Sequence, residues 1–150
     1  MLKSKLIAAF GISLISLSAF AGTTDALDLA GKWLCHGYDM HDGYYKDASL
    51  TLTLDAKNSD FANNYGAYHF DLSEPDGTVY LGEVAASGNQ AAVYFKNTSP
   101  KMKTDRGVGI ATITHDRNTK NQVTTVLHKF YYEPTYQGGG NGYETCVKQS

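Results

Sequence analysis

Apolar and polar residues alternate with a period of two along most of this chain, and helical spacing is nearly absent. The clearest stretch is 49–54, where Leu50, Leu52 and Leu54 face one side and Ser49, Thr51 and Thr53 the other. In the next run Tyr68, Phe70 and Leu72 alternate with Ala67, His69 and Asp71. Pro75-Asp76-Gly77 then reads as a turn, because proline pre-sets one backbone angle and glycine accepts a positive one. Further strands are expected over 78–85, 91–97, 108–115, 123–132 and 143–148, with Ser87-Gly88-Asn89 as another turn. Together with 32–38 they number about eight, at the spacing of a sandwich or closed barrel. Only 25–30 has weakly helical character, expected as one turn leading into Trp33.

Two connections are long for such a chain. Residues 97–107 are polar around Pro100, and 133–142 contain Pro134, Tyr136 and the run Gly138-Gly139-Gly140. Long loops on a compact β scaffold are either recognition elements or solvated slack. Tyr136 offers stacking and a hydroxyl, while Gly138, Gly139 and Gly140 permit close backbone approach. A contribution of these four residues to ligand or partner binding is therefore expected.

The first 21 residues place the rest of the chain outside the cytoplasm. Lys3 and Lys5 form a positive start, 6–17 is an apolar stretch too short to span a bilayer, and Ala19-Phe20-Ala21 is a small-x-small cleavage site. Cleavage before Gly22 would leave 22–150 as a single β-barrel domain, periplasmic or secreted. The residue directly after the cleavage point is Gly22 and not a cysteine, so a lipid anchor is not expected. Thirteen basic residues less the two leader lysines leave eleven against fifteen acidic ones. That balance excludes the basic stripe of a nucleic-acid binder and a polybasic membrane patch, and no second apolar run would span a bilayer. All eleven tyrosines lie beyond the leader and suit strands whose two faces differ in wetness, or an aromatic-lined surface.

Cys35 and Cys146 are the only cysteines and lie near the two ends of the expected domain. In an oxidising compartment they are expected to form a disulfide, with one possible intramolecular connectivity. The bond would place the first and last strands side by side, as closure of an up-and-down barrel does. We therefore expect an all-β fold with a single antiparallel up-and-down barrel of about eight strands, the alternative being a β-sandwich.

Asp28-Leu29-Ala30-Gly31-Lys32-Trp33 resembles the Gly-x-Trp opening of lipocalins and related calycin barrels, avidin-like barrels included. The resemblance implies a lipocalin-like barrel in which Trp33 plugs one end as a structural residue. Thr104-Asp105-Arg106 compares with the Thr-Asp-Tyr motif of lipocalins, with arginine in place of the aromatic residue. The helix that follows the barrel in lipocalins has no counterpart after Cys146. Trp33-x-Cys35 with the late Glu144-Thr145-Cys146 also resembles small exported bacterial β-modules.

The densest cluster of potential ligands runs from Cys35 through His36, Asp39 and His41 to Asp42. A tetrahedral zinc site needs three or four converging ligands, and this segment supplies about two once Cys35 is committed to sulfur, so no metal is expected. Glu74, Asp76, Gly77 and Glu83 mimic a calcium loop, but its first ligand would be Leu72 and the flanks read as strands. No nucleophile-elbow motif occurs, and neither catalytic residues nor a cofactor are expected. The leading expectation is a non-enzymatic binding protein holding a small apolar or aromatic ligand in the barrel mouth. The alternative is an interaction module with an extracytoplasmic protein partner, such as a cell-wall hydrolase inhibitor or a host-directed factor. A secreted hydrolase is the third possibility. A hollow interior favours the first, and a filled barrel with a tyrosine-rich outer face the second.

Overall fold

A computed structural model describes residues 29–117, 119 and 122–150. The expected leader at 1–21, and most of the helical turn expected at 25–30, lie outside the described residues. Eight strands follow one another: β1 (Gly31–Asp39), β2 (Gly43–Leu54), β3 (Tyr65–Ser73), β4 (Val79–Ser87), β5 (Gln90–Asn97), β6 (Arg106–Arg117), β7 (Val123–Glu133) and β8 (Gly140–Lys148). Each pairs antiparallel with the next, and β8 returns to β1, so the sheet closes as an up-and-down barrel and not as a sandwich. Closure leaves no exposed edge, and alternate residues of every strand point into one interior.

One half of that interior is apolar. Trp33 is 1% exposed, and its indole N–H donates to the Leu29 carbonyl at 3.0 Å, so the lead-in to β1 folds beneath the ring. Leu50, Leu52, Tyr68, Val84 and Ile113 fill the space above it. Cys35 and Cys146 sit directly opposite each other on β1 and β8, both facing inward, and form a disulfide between residues 111 positions apart. Terminal strands that close a barrel bring such a pair together, and the bond locks the seam.

Two of the departures of the strand boundaries from the alternation pattern shape the other half of the barrel. β2 begins at Gly43 rather than Ser49, because Asp47 adopts a positive φ of 62° and the register with β1 slips between Cys35 and Gly37. Tyr45 and Ala48 are three residues apart, so without this bulge they would face opposite sides. β8 begins at Gly140 rather than Tyr143, so the last connection shrinks to residues 134–139 and contains one 3-10 turn, Tyr136–Gly138. Gly140 and Gly142 are not loop slack: they pair with Glu133 and Tyr131 of β7.

Because the strands run up and down, the connections at 40–42, 74–78, 98–105 and 134–139 gather at the end opposite Trp33. Those four connections frame a mouth. The Glu74–Thr78 connection is a plain hairpin turn, with the Thr78 N–H donating to Asp76 Oδ1 at 2.8 Å and Gly77 at positive φ.

Two stability effects are expected from this architecture. Replacing both Cys35 and Cys146 by alanine should lower the free energy of unfolding by up to about 4–5 kcal/mol, the chain-entropy value for so long a loop. Trp33→Ala should cost about 3–5 kcal/mol, as for a large aromatic removed from a packed site. Urea titrations followed by far-ultraviolet circular dichroism measure both, and changes below about 1 kcal/mol would show that seam and plug are dispensable.

Candidate functional site

The mouth-end interior is polar, and it comes from the same inward strand positions that carry the apolar core. On β7 the inward series runs Leu127, Lys129, Tyr131, Glu133; on β8 it runs Cys146, Glu144, Gly142; on β1, Cys35, Gly37, Asp39. Lys129 lies directly opposite Glu144, and its ammonium is 2.6 Å from Glu144 Oε2 with both side chains almost fully buried. The rings of Phe70, Phe95 and Tyr131 surround the same ammonium, with centroids at 5.1, 5.2 and 5.3 Å. A buried charge needs a partner and further polar or quadrupolar contacts to offset lost hydration, and this lysine has both.

Two glycines let tyrosines reach acids across a neighbouring strand. Tyr45 of β2 crosses Gly37 of β1 and donates to Glu144 Oε1 at 3.0 Å. Tyr131 of β7 crosses Gly142 of β8 and donates to Asp39 Oδ2 at 3.1 Å. A Cβ on Gly37 would meet the Tyr45 ring, and one on Gly142 the Tyr131 ring, so both tyrosine positions require glycine. Asp39 Oδ1 accepts from the backbone N–H of His41 at 2.7 Å and of Asp42 at 3.3 Å, shaping the first rim turn. Asp105, in the connection before β6, accepts at Oδ2 from Tyr80 at 3.0 Å and from Asn97 at 2.7 Å.

What remains open between these groups is a cavity of about 70 Å³, bordered by acids, tyrosines and Phe95, with Lys129 at its side. Asp39, Asp42, Glu74, Glu133 and Glu144 all border it. With both carboxyls ionised, Glu133 Oε2 and Asp105 Oδ1 have no hydrogen-bond donor among the described residues, and the two residues are 3% and 2% exposed. Burial, followed by the charge of Asp39, pushes the Glu133 carboxyl up to about 8, and as an acid it hydrogen-bonds toward Asp39 and Asp105. Burial and the charges of Asp76 and Asp42 push Glu74 up to about 7. Burial also raises Asp105, against the lowering effect of the Asn97 and Tyr80 donors. The hydroxyls of Tyr45, Tyr80 and Tyr131 are raised by burial first and then by neighbouring carboxylates, which keeps them protonated as donors.

The connection singled out in the sequence lies on the rim of this mouth. Tyr136 is largely buried, its hydroxyl is 3.5 Å from Asp42 Oδ1, and its ring meets the edge of His41. His41 Nε2 is 3.1 Å from the Gly139 carbonyl, and Gly140 lies against the same imidazole. Gly138 is exposed at the tip. The ligand cluster around Cys35 is divided: Cys35 is in the disulfide, His36 points to solvent, Asp39 points inward and His41 packs on the rim. Cys35, Cys146 and Glu144 lie close together, but the two sulfurs are bonded to each other.

The sequence named Asp39 in the ligand cluster, Asp105 in the Thr104-Asp105-Arg106 comparison and Glu144 beside Cys146, but it assigned none of them, nor Lys129 or Glu133, to an interior polar site. Four of them carried a usable signal: Lys129 and Glu133 share strand parity with Leu127, Glu144 with Cys146, and Asp39 with Trp33. A charged residue on the parity of the core is the mark of an interior polar site. Asp105 gives no such signal, because it lies outside the strands.

No protein-family model matches the chain, and no curated protein matches it. Among solved structures it is similar to that of EF1p2_mFAP2b bound to DFHBI, with 12% sequence identity and a TM-score of 0.48, over 84% of this chain and 98% of that one.

The raised carboxyls define a pH dependence. Glu133 and Glu74 have an ordinary value of 4.5 and stand at about 8 and about 7 when folded, so between these limits the folded protein holds more protons than the unfolded chain. Stability should therefore fall as pH rises from about 4.5 to about 8. Glu133→Gln keeps a hydrogen-bond donor without the charge, and should flatten the slope and raise stability at pH 8.5 by about 1–3 kcal/mol. Urea titrations of both proteins across this range check it; identical slopes would mean that Glu133 is not held protonated by its surroundings.

Proposed function

We propose that this protein is an exported, non-enzymatic binding module that holds a small ligand in the acidic, tyrosine-lined mouth of its barrel. The observation behind this reading is the cavity of about 70 Å³ bordered by carboxyl groups, with buried Glu133 on its wall and Asp105 adjoining Glu133, each having one oxygen that no donor among the described residues reaches once Glu133 is ionised. Buried polar groups without partners are costly, and a ligand that donates to them offsets the cost. The aromatic wall supplies the apolar contact expected of a small-molecule site. Tyr136 and Gly138, Gly139 and Gly140 would act as the rim that a ligand passes or touches. The disulfide fits an extracytoplasmic protein, periplasmic or secreted.

A second reading, an extracytoplasmic protein partner, is favoured by the outer wall. Tyr44, Tyr38, Tyr143, Phe130 and Ile110 stand side by side in register across five adjacent strands, with Tyr44 82% and Ile110 71% exposed. Such a row is a larger apolar strip than isolated surface residues make.

Screening the isotope-labelled barrel by nuclear magnetic resonance against a mixed library of small amines, alcohols, carboxylic acids and aromatic compounds separates the two. Binders are expected to shift the amides of Asp39, Asp105, Glu133 and Tyr136. Shifts confined to the outer row, or none at all, would overturn the small-ligand reading.

A further inference from the structure

The mouth already contains an example of how this barrel accommodates a positive charge. The Lys129 ammonium is held by one buried carboxylate and three ring faces. That arrangement uses Glu144, and among the described residues no other cation pairs with the remaining acids of the mouth. Asp39 is satisfied by Tyr131 and the first rim turn, and one oxygen of Asp105 by Tyr80 and Asn97. Glu133 Oε2 and Asp105 Oδ1 are then the atoms left over, both deeply buried and both able only to accept while ionised.

We propose that the mouth recognises the primary ammonium group of a small organic cation, seated against Glu133 where it borders the cavity and directed toward the adjoining Asp105, with its carbon stem against the neighbouring aromatic rings. This rests on the small-ligand reading above and names the class of ligand. An ammonium carries three donors and a full positive charge, so it satisfies both orphaned oxygens and compensates the surrounding acids at once. A neutral alcohol or amide donates but leaves the charge unbalanced. An anion meets Asp39, Asp42 and Glu74 on its way in. A divalent ion needs several converging oxygens, and among the described residues no three carboxylates bring one oxygen each within 4.8 Å of one another. The cavity of about 70 Å³ suits an ammonium head on a short stem.

Seating the cation displaces the proton that Glu133 otherwise holds. Protonated site and ammonium ion become ionised site with bound ammonium, and the proton passes to buffer. The groups facing Glu133 set its behaviour: Asp39 on β1 and Asp105 before β6 oppose its ionisation. Around the same cavity Glu74 and Asp42 add negative charge from the rim, and Lys129 of β7 is already engaged with Glu144 of β8. Affinity should therefore rise with pH, by up to about tenfold per unit below the point at which Glu133 ionises, and level off above it.

Isothermal titration of the intact disulfide-bonded protein tests this with methylamine, butylamine and benzylamine, each beside the alcohol of the same carbon skeleton. Measurements at several pH values between 6 and 8.5, in buffers of different ionisation enthalpy, report the protons released. The expected result is that at least one amine binds at pH 8 at least about tenfold more tightly than its alcohol, with close to one proton released at pH 7. Glu133→Gln should weaken that amine about tenfold or more and flatten the pH slope above pH 7, leaving only the part that Glu74 contributes; Asp105→Asn is the second variant should the first fail to fold. Equal binding of amine and alcohol at the mouth would overturn the cation proposal while leaving the small-ligand reading standing. Absence of binding by every compound would overturn both. Occupation of the mouth by calcium chloride alone, with displacement of the amines, would assign the acids to a metal and overturn the proposal.

Discussion

Pairing of β8 with β1 is the constraint on which everything else rests, because it divides every strand position between one interior and one exterior. An open sheet can leave an inward charge near an edge where water reaches it. A closed barrel of eight strands has an interior just wide enough for side chains to fill, so an inward residue must pack or find a partner. The disulfide lies on the closing seam, and Lys129 and Glu144 meet on the adjoining ladder two residues along β8. Covalent closure and ionic pairing therefore occupy successive inward levels of the same wall.

The two halves of the interior differ in what they contribute. The Trp33 end is apolar and supplies stability through burial that needs no matched partner. The mouth end spends part of that stability on charge: a buried ion pair is at best weakly stabilising, and unpartnered carboxylates are a net cost. Proteins keep such arrangements where a site needs them, and perturbed carboxyls in a cleft are a physical marker of function. Here the raised Glu133 and Glu74 border the same cavity, and Asp105 adjoins Glu133 behind it.

Glycine and tyrosine work together in this end of the barrel. At Gly37 and Gly142 the missing side chain creates a groove across a strand, and a tyrosine from the next strand lies in it to reach an acid beyond. The bulge at Asp47 is what turns Tyr45 inward for the first of these bridges. Phe95 joins the two groups, meeting Tyr80 and Tyr131 edge-on at 5.8 and 5.5 Å. The aromatic wall is thus held from several strands at once, which gives a preorganised rather than adaptable surface.

Read alone, the sequence determined the fold class, the number of strands and the partnership of Cys35 with Cys146, because period-two alternation and a lone cysteine pair are local or combinatorial signals. It also determined that Trp33 would stand just inside the first strand. It pointed to the 133–142 segment as a loop, and tertiary pairing took Gly140 and Gly142 into β8 because only residues without side chains fit beside Tyr131 and His41. The acidic mouth was decided by the tertiary structure. Asp39, Lys129, Glu133 and Glu144 each sit on the core parity of their strands, yet parity says only that a side chain faces inward, not which others meet it there. Their convergence depends on strand register and on closure, and register is set by pairings between residues as distant in sequence as Asp39 and Gly142.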